Sequence, residues 1–447
     1  MKESTECCNI LRVMARADRV LPGGTRCRNC RSSLQLTVVD LGLSPLCETV
    51  IRCEQLESPE VFYPLHVRVC TSCWLAQIPE QVQPTEIFQE YAYFSGTSDS
   101  WVEHARAYVS MVSDRLGLGR ESFVVELASN DGYLLQHFLP LGIPVLGIDP
   151  AANVAEVARS RGVPTLTEFF GCDLAERLVA DGPLADLLVA NNVLAQVPDI
   201  HDFVQGMKTV LAPGGTATLE VPHLARLLEH LEYDTIYHEH FSYFSMHSLC
   251  SIFGAASLVV VDVEELPTHG GSLRVYVRHA DRGHVPSPAV VAVLEAEDAE
   301  GLRDVRTYAR FAEGVRESKR ALLEVLIDLN RIGKVVVGYG APGKGNTLLN
   351  YCGIGPDLLR FTVDRNPYKQ GTYTPGARIP VFAPQAIAEE RPDAIVILPW
   401  NLAAEISAQL AYTADWGAEL ITPIPLPQVF RPGSMPRVSP AGSAAGT

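Results

Sequence analysis

The sequence has no run of about eighteen apolar residues, the length that a membrane-spanning helix requires. Residues 1–24 are polar and lack the apolar core of a secretory signal. Positive charge is also scarce, because 36 Lys and Arg stand against 52 Asp and Glu and leave a net charge of −16. Such a balance argues against a nucleic-acid-binding surface. We expect a cytoplasmic protein with no membrane or nucleic-acid partner, in which a local pocket could still hold an anionic small ligand.

A chain of 447 residues is long for one domain and suggests several compact units. In residues 101–282, short apolar strands alternate with helical patterns such as Tyr133–Leu139, which predicts an α/β fold with a mostly parallel sheet. One long helix is expected from Ala292 to Leu329, followed by a second α/β unit. The predicted domains are a disordered tail (1–26), a metal-binding region (27–100), a first Rossmann-like domain (101–282), a second one (283–430) and a disordered tail (431–447).

Four of the eleven cysteines form two matching C-x-x-C pairs. In an intracellular chain such pairs indicate metal ligands before disulfides. Four thiolates suit a closed tetrahedral zinc site that stabilises a region without a large core, and they leave no position open for a substrate. The alternative is four ordinary buried cysteines. The predicted structural zinc ligands are Cys27, Cys30, Cys70 and Cys73.

A strand, a polar loop and a helical pattern follow one another at residues 124–133, and the next strand ends in Asp149. That acid comes at about the spacing at which a carboxylate binds the ribose hydroxyls of a nucleotide cofactor. The third strand ends in two asparagines, and ligands of open α/β sheets bind at the carboxyl ends of strands. The alternative is an ordinary βαβ unit. The predicted cofactor-binding residues are Glu126, Ala128, Asn130, Gly132, Asp149, Asn191 and Asn192.

Three segments carry a family resemblance: ELASNDGYLLQHF at 126–138, TIYHEHFSYFS at 235–245 and the long segment 336–380 that begins VVGYGAPGKGNT. With the paired cysteines before them, they resemble the sugar C-methyltransferases of antibiotic deoxysugar pathways. The resemblance covers about residues 27–430. It implies a zinc-binding region, a class I methyltransferase core that uses S-adenosylmethionine, and a C-terminal Rossmann-like domain. It also implies methylation of carbon 3, or in some members carbon 5, of a TDP-linked 4-keto-deoxysugar. We expect a monomer.

Methylation at carbon requires a base, because carbon attacks the methyl donor only after a proton next to the ketone is removed. The segment from Tyr237 to His240 offers suitable residue types. By resemblance to the family, His240 is the base, Tyr237 contacts the keto oxygen or the sugar, and Glu239 orients its neighbours. The alternatives are a polar loop with satisfied histidines and a second metal site.

The resemblance also suggests substrate-binding residues. Tyr91 and Tyr93 correspond to an aromatic segment that closes over the sugar in the family, with core aromatics as the alternative. Gln196 replaces a family histidine, and it can form hydrogen bonds but cannot take up a proton at neutral pH. Gly96 and Thr97 also depart from the family pattern.

The second glycine-rich loop, Gly338-Tyr-Gly-Ala-Pro-Gly343, matches a dinucleotide-binding pattern, with Asp364 at the end of the following strand. An NAD-dependent or bifunctional enzyme is therefore one alternative, and a catalytically inactive zinc-binding interaction protein is another. By resemblance the unit binds the nucleotide-sugar. In that case Lys344, at a helix N-terminus, suits the diphosphate, and Asn346 lies beside it.

Overall fold

The computed structural model describes residues 26–88 and 94–434, and helices and strands are numbered here over those ranges. The predicted tails at 1–26 and 431–447 lie almost entirely outside them. Three β-sheets with their flanking helices make up the described chain. Among these helices, none combines the length and the apolar character needed to cross a membrane.

The first sheet belongs to the N-terminal region but takes its last strand from far along the chain. Its strands, in spatial order, are β1 (Leu36–Ser44), β2 (Tyr63–Val69), β3 (Ala76–Gln77) and β9 (Ser242–Tyr243), all antiparallel. Alternate residues of β2 are buried, namely Leu65, Val67 and Val69, as expected for a strand with one face on a core. A short helix, α1 (Pro84–Phe88), follows the sheet.

The second sheet has seven strands and is the predicted α/β core. The strands are β4 (Val124–Leu127), β5 (Val145–Ile148), β6 (Thr165–Leu166), β7 (Ala185–Val189), β8 (Leu211–Pro222), β10 (Leu258–Leu266) and β11 (Ser272–His279). Their spatial order is β10-β11-β8-β7-β4-β5-β6. The strands from β8 to β6 run parallel, whereas β11 is antiparallel to both of its neighbours. The predicted α/β class is confirmed.

Six helices accompany the second sheet: α2 (Asp99–Leu116), α3 (Ala152–Ser160), α4 (Cys172–Asp181), α5 (Ile200–Val210), α6 (Leu224–Glu229) and α7 (Met246–Ala255). Local sequence explains several of their ends. Ser98 caps α2 by accepting a hydrogen bond from the backbone N–H of Trp101, and Gly117 ends that helix in the left-handed conformation.

The third sheet also has seven strands: β12 (Val336–Tyr339), β13 (Thr362–Val363), β14 (Thr372–Tyr373), β15 (Pro380–Phe382), β16 (Ala394–Ile397), β17 (Glu419–Thr422) and β18 (Gln428–Phe430). Their order is β14-β15-β13-β12-β16-β17-β18, parallel except for the two edge pairs. The helices of this part are α8 (Pro288–Ala299), α9 (Val305–Arg331), α10 (Gly343–Cys352), α11 (Ala386–Glu390) and α12 (Ala403–Gln409).

The hydrophobic cores do not follow the predicted domain boundaries. One core joins Val38 and Leu65 of the first sheet to Leu322 of α9 and Leu348 of α10. Another contains Cys27 together with strands of the second sheet. The N-terminal region therefore packs against both later parts of the chain.

The helix predicted at Tyr133–Leu139 is wrong, because the chain there forms only short 3-10 turns at Leu135–His137 and Leu139–Leu141. Leu134, Leu135 and Phe138 are all fully buried, so the segment has no polar face of the kind that an amphipathic helix presents to solvent. Short 3-10 turns are typical of such connecting segments.

The single helix predicted from Ala292 to Leu329 is also wrong, because α8 and α9 are separate. The chain turns at Gly301, whose φ of +79° is left-handed and favours glycine. The side chain of Asp304 then caps α9 by accepting a hydrogen bond from the backbone N–H of Arg306. The sequence did not reveal this boundary, because apolar residues continue at helical spacing on both sides of it.

Candidate active site

A cavity of about 540 Å³ opens at the carboxyl ends of β4, β5 and β7. It brings the predicted cofactor loops together with the predicted catalytic segment. The site residues predicted from the sequence that line it are Ala128, Asn130, Asp149, Asn191, Asn192, Gln196, Tyr237 and His240. Those that do not line it are Glu126, Gly132, Glu239, Lys344 and Asn346. Tyr91 and Tyr93 lie outside the described residues.

Asp149 ties two strand-end loops together at the floor of the cavity. Its carboxylate accepts hydrogen bonds of 2.9 Å from the backbone N–H groups of Asn130 and Ala151. Burial raises the pKa of Asp149, and these two N–H donors oppose the rise. A carboxylate has further lone pairs, so it can still accept ribose hydroxyls. The loop geometry therefore fits S-adenosylmethionine at this position.

Glu126 and Gly132 support this loop from beneath it. Glu126 is fully buried, and burial, with the nearby charges of Asp149 and Asp131, raises the pKa of its carboxyl group well above the ordinary value. A Cβ at Gly132 would lie 3.2 Å from that of Ala158, which shows that this glycine permits close packing on α3. Contact of Glu126 and Gly132 with the cofactor stays a prediction.

The cavity also has an apolar part that sequence reasoning missed. Its wall contains Ile148, Phe169, Phe170 and Val193. Phe169 remains 45% exposed although it is a large apolar side chain. An apolar wall beside ribose-binding groups suits the adenine ring of the cofactor. The aromatic pair Phe169–Phe170, separated from the end of β6 by two residues, is the sequence signal that could have identified it.

Tyr237 and His240 lie side by side in the same cavity, with ring centroids 4.1 Å apart. The Nδ1–H of His240 donates to the carbonyl oxygen of Thr235 at 3.3 Å. Because a carbonyl only accepts, Nδ1 carries the proton in the neutral ring and Nε2 is left as an acceptor. Burial, with smaller effects of His269 and Lys344, lowers the pKa of His240 to about 4. The ring is thus an unprotonated base at neutral pH.

Glu239 points away from this pair. Its carboxylate lies 3.9 Å from the thiol sulfur of Cys47. Burial, reinforced by the charge of Glu48, raises the pKa of Glu239 to about 8, so the group is mostly protonated at neutral pH. The neighbouring His238 is buried and bonds to the carbonyl oxygen of Pro64. An orienting role for Glu239 is left as a prediction.

The second glycine-rich loop is occupied by the protein's own carboxylates. Asp364 accepts a 2.7 Å hydrogen bond from the N–H of Ala341, and Glu48 accepts one of 3.0 Å from the N–H of Gly343. Lys369 bonds Glu48 at 3.4 Å and also donates to the carbonyl oxygen of Ala341. These N–H groups are the ones that a dinucleotide pyrophosphate would need. The geometry does not favour the NAD alternative.

Lys344 and Asn346 follow this loop on α10. The ammonium of Lys344 lies 4.8 Å from the centre of the Trp400 ring and 2.9 Å from the side-chain oxygen of Asn401. Asn346 is buried and donates to the carbonyl oxygen of Cys47 at 2.6 Å. Lys344 still acts electrostatically on the active site, since it lowers the pKa of His240.

Within the described residues, the four predicted zinc ligands form a compact group. Their sulfur atoms all lie within 4.8 Å of one another, with 3.5 Å between Cys27 and Cys73 and 3.4 Å between Cys30 and Cys70. Tetrahedral zinc–thiolate bonds of about 2.3 Å place sulfurs about 3.8 Å apart, close to this arrangement. Cys47 and Cys53 are not part of the group. The donors fit a structural zinc ion.

Two further residues reach the cavity without having been predicted. Trp101 of α2 and His269 of the β10–β11 turn both line it, with ring centroids 5.2 Å apart. They come from segments far from the motifs. The sequence signal that could have identified His269 is the pair of glycines, Gly270 and Gly271, that follows it in the turn.

Three family models match consecutive parts of the chain. They are a putative zinc binding domain at residues 27–88, a methyltransferase domain at 101–263 and a C-methyltransferase C-terminal domain at 267–425. The match of the first model agrees with the four-cysteine group, and that of the second with the cavity and its donor loop. The chain is an S-adenosylmethionine-dependent methyltransferase with a structural zinc.

A search of curated proteins finds a relative along nearly the whole chain. C-methyltransferase NovU of Streptomyces niveus is 38% identical over 404 residues, which cover 90% of this chain and 96% of that protein.

Two solved structures resemble the chain over less than half of its length. One is a SAM-dependent methyltransferase from Anabaena variabilis, with a TM-score of 0.32 and 14% identity over 39% of this chain and 83% of that one. Another is the magnesium protoporphyrin IX methyltransferase of Synechocystis with bound SAM, with a TM-score of 0.30 and 14% identity over 42% of this chain and 86% of that one. The family assignment rests on NovU and the domain models: the chain belongs to the C-methyltransferase family that includes NovU, as its motifs predicted.

Proposed function

We propose that the enzyme methylates carbon 3 of a TDP-linked 4-keto-deoxysugar. The observation that carries the proposal is that one cavity joins the donor loop at Asn130 and Asp149 to the pair Tyr237 and His240. A methyl donor and a base in one cavity suit a carbon acceptor, because carbon must lose a proton before it attacks. The sugar and its position come from the family resemblance, and carbon 5 is the alternative position.

His240 acts as the base in this proposal. Its Nε2, left unprotonated by the Nδ1 contact with Thr235, takes the proton from the carbon next to the ketone. The electrons of that C–H bond form a carbon–carbon double bond, and the carbonyl electrons move to the keto oxygen. Bound S-adenosylmethionine supplies an electrophilic methyl group. Tyr237, beside His240, is placed to contact the sugar or its keto oxygen.

Positioning is the second task of the cavity. The carboxylate of Asp149 would hold the cofactor ribose, and Asn191 and Asn192 line the same wall. Asn191 is itself fixed, since its side-chain oxygen accepts from the backbone N–H of Glu220 at 3.1 Å. Such fixed groups hold reacting atoms in line, which accounts for much of the rate of a group transfer.

His240→Asn tests the base. The probe substrate is TDP-4-keto-6-deoxyglucose, and the loss of a general base typically slows a reaction about 10²–10⁴-fold. We expect the variant to lose methylation and the exchange of the carbon-bound hydrogen with deuterated water, measured with S-adenosylhomocysteine in place of the donor. Binding of S-adenosylhomocysteine should be retained, whereas Asp149→Ala should weaken it by about 1–3 kcal/mol.

The matched control is His230→Asn, since His230 is half-exposed and lies outside the cavity lining. It should behave as the wild type. Exchange at the wild-type rate in His240→Asn would show that another group is the base. If the wild type neither exchanges nor methylates any TDP-4-keto-sugar, the proposed substrate class is wrong.

A further inference from the structure

Because His240 is a weak base, its basicity alone does not account for proton removal from carbon in the proposed reaction. A histidine whose pKa is held near 4 draws a proton away from carbon only weakly. The reaction then depends on strong stabilisation of the negative charge that develops on the keto oxygen. A preorganised hydrogen-bond donor facing the cavity would provide this stabilisation. Polar groups outside the motif around Tyr237 also line the cavity wall.

His269 is held in the cavity wall by a tightly packed turn. Its φ of +57° is left-handed, and the two glycines that follow are also at positive φ. A Cβ at Gly270 would lie 2.1 Å from a carboxylate oxygen of Glu232, and one at Gly271 would lie 2.6 Å from Cγ of Arg226. Neither glycine could bear a side chain, so the turn has one defined position and presents His269 from it.

Backbone strain in this protein concentrates around the cavity. Of the ten non-glycine residues with positive φ in the described ranges, four line it: Ala128, Asn130, Asn192 and His269. Such conformations cost roughly 1–3 kcal/mol each and cluster at functional sites. Three of the four belong to the loops that form the predicted cofactor site, and His269 is the fourth.

The imidazole of His269 is exposed to the cavity and forms no hydrogen bond with the described residues. Its contact is the edge of Trp101, whose ring in turn stacks on Tyr133 at 6.2 Å. This row of rings connects His269 to the donor loop, because Tyr133 directly follows Gly132. The ring nitrogens are therefore free to bind a ligand beside the methyl donor.

Burial, more than the charges around it, keeps the ring of His269 neutral. The surrounding protein and the ammonium of Lys344 lower its pKa, an effect that Glu220 partly opposes and His104 reinforces. A neutral imidazole has one N–H donor. It can donate to a developing enolate without first protonating the ground-state ketone.

We propose that His269 is a second catalytic imidazole, which donates a hydrogen bond from its ring N–H to the substrate keto oxygen as the enolate forms. The inference rests on the function proposed above. His240 takes the proton from carbon, and the electron pair moves through the new carbon–carbon double bond to the keto oxygen held by His269. The pair then returns as the carbon–methyl bond forms and the methyl–sulfur bond breaks, leaving neutral S-adenosylhomocysteine and a protonated His240 that passes its proton to water.

The test compares His269→Phe, which keeps an aromatic ring without a donor, with His269→Gln, which keeps a donor. Removal of one donor to a developing oxyanion costs about 10²–10³-fold in kcat. We expect His269→Phe to lose that much in methylation of TDP-4-keto-6-deoxyglucose and in solvent hydrogen exchange, with little change in KM. His269→Gln should recover at least part of the rate. Calorimetry with S-adenosylhomocysteine shows that each variant keeps a folded donor site.

Wild-type rates of exchange and methylation in His269→Phe would overturn the role of His269 while leaving the proposed function intact. The role is equally overturned if His269→Phe changes KM alone, or if His269→Gln is no faster than His269→Phe. A wild-type enzyme that neither exchanges nor methylates any TDP-4-keto-sugar would overturn both proposals. If His269→Phe fails to bind S-adenosylhomocysteine, the residue supports the donor site instead, and the proposed hydrogen bond is wrong.

Discussion

At the scale of a single residue, the proposed base His240 would set the acid limit of the reaction through its own protonation. Because burial lowers its pKa to about 4, the ring is neutral, and able to accept a proton, at any pH well above that value. An unperturbed histidine titrates near about 6.5. The shift therefore moves the loss of activity from near-neutral to acidic pH.

We expect kcat/KM to show no acid limb centred near pH 6.5 and to fall only as the pH approaches about 4. The measurement is a pH profile between the acid limit of folding, followed by circular dichroism, and neutral pH. On the alkaline side, the buried group that titrates is Glu239, with a pKa of about 8. A limb near pH 6.5 that disappears in His240→Asn would contradict this picture.

Some individual residues of the cavity could be predicted from the sequence, and others could not. Asp149 was predicted because it ends a strand and His240 because of the family resemblance, and both line the cavity, while their roles stay predictions. Trp101, Phe169 and His269 could not be, since each comes from a different element and only the folded chain brings it to the cavity. Gln196 lies in the cavity wall, and its contact with the substrate stays a prediction.

At the scale of elements, the glycine-rich loop before α10 shows why a local pattern can mislead. Its spacing fits a dinucleotide site, but two carboxylates from elsewhere in the chain, Asp364 and Glu48, accept from its N–H groups. One of them comes from the N-terminal region, which no local pattern could reveal. The helix predicted from Ala292 to Leu329 failed for a similar reason, since Gly301 interrupts a continuous apolar spacing.

Gly343→Ala tests this packing. The new Cβ would lie 2.4 Å from the carboxylate of Glu48 and 2.9 Å from the sulfur of Cys47. Overpacking of this kind typically costs about 1–3 kcal/mol, so we expect a lower melting temperature. The control is Gly119→Ala, where a Cβ would meet nothing within 4 Å.

Calorimetric titration of the wild type with NAD completes the test at this loop, and we expect no binding. Tight NAD binding, or an unchanged melting temperature for Gly343→Ala, would contradict the arrangement described.

At the scale of the whole molecule, zinc stabilises more than its own region. Cys27 packs in the same core as the second sheet, and Arg28 donates to the carbonyl oxygen of Pro198 at 3.0 Å. The zinc region thus holds segments of the methyltransferase domain. The sequence predicted the metal ligands but not these contacts, because they depend on how separate domains pack.

We expect purified enzyme to carry about one zinc ion per chain, and Cys70→Ser to lose it. The variant should melt at lower temperature and lose methylation as well, although no zinc ligand lines the cavity. Metal content by mass spectrometry, melting and activity are the measurements. Cys53→Ser is the control, since Cys53 is an exposed cysteine outside the metal group. A fully active, folded, metal-free enzyme would contradict the structural role.

The strand β9 restricts how such enzymes can be recombined. Ser242 and Tyr243 complete the N-terminal sheet by pairing with β3, and they follow His240 by only two residues. A chimera that exchanged the first hundred residues between relatives would separate three strands from their fourth, and would change the support of the catalytic segment. A chimera that keeps this sheet intact therefore requires the zinc region and the segment around residues 235–245 to be transplanted as one unit.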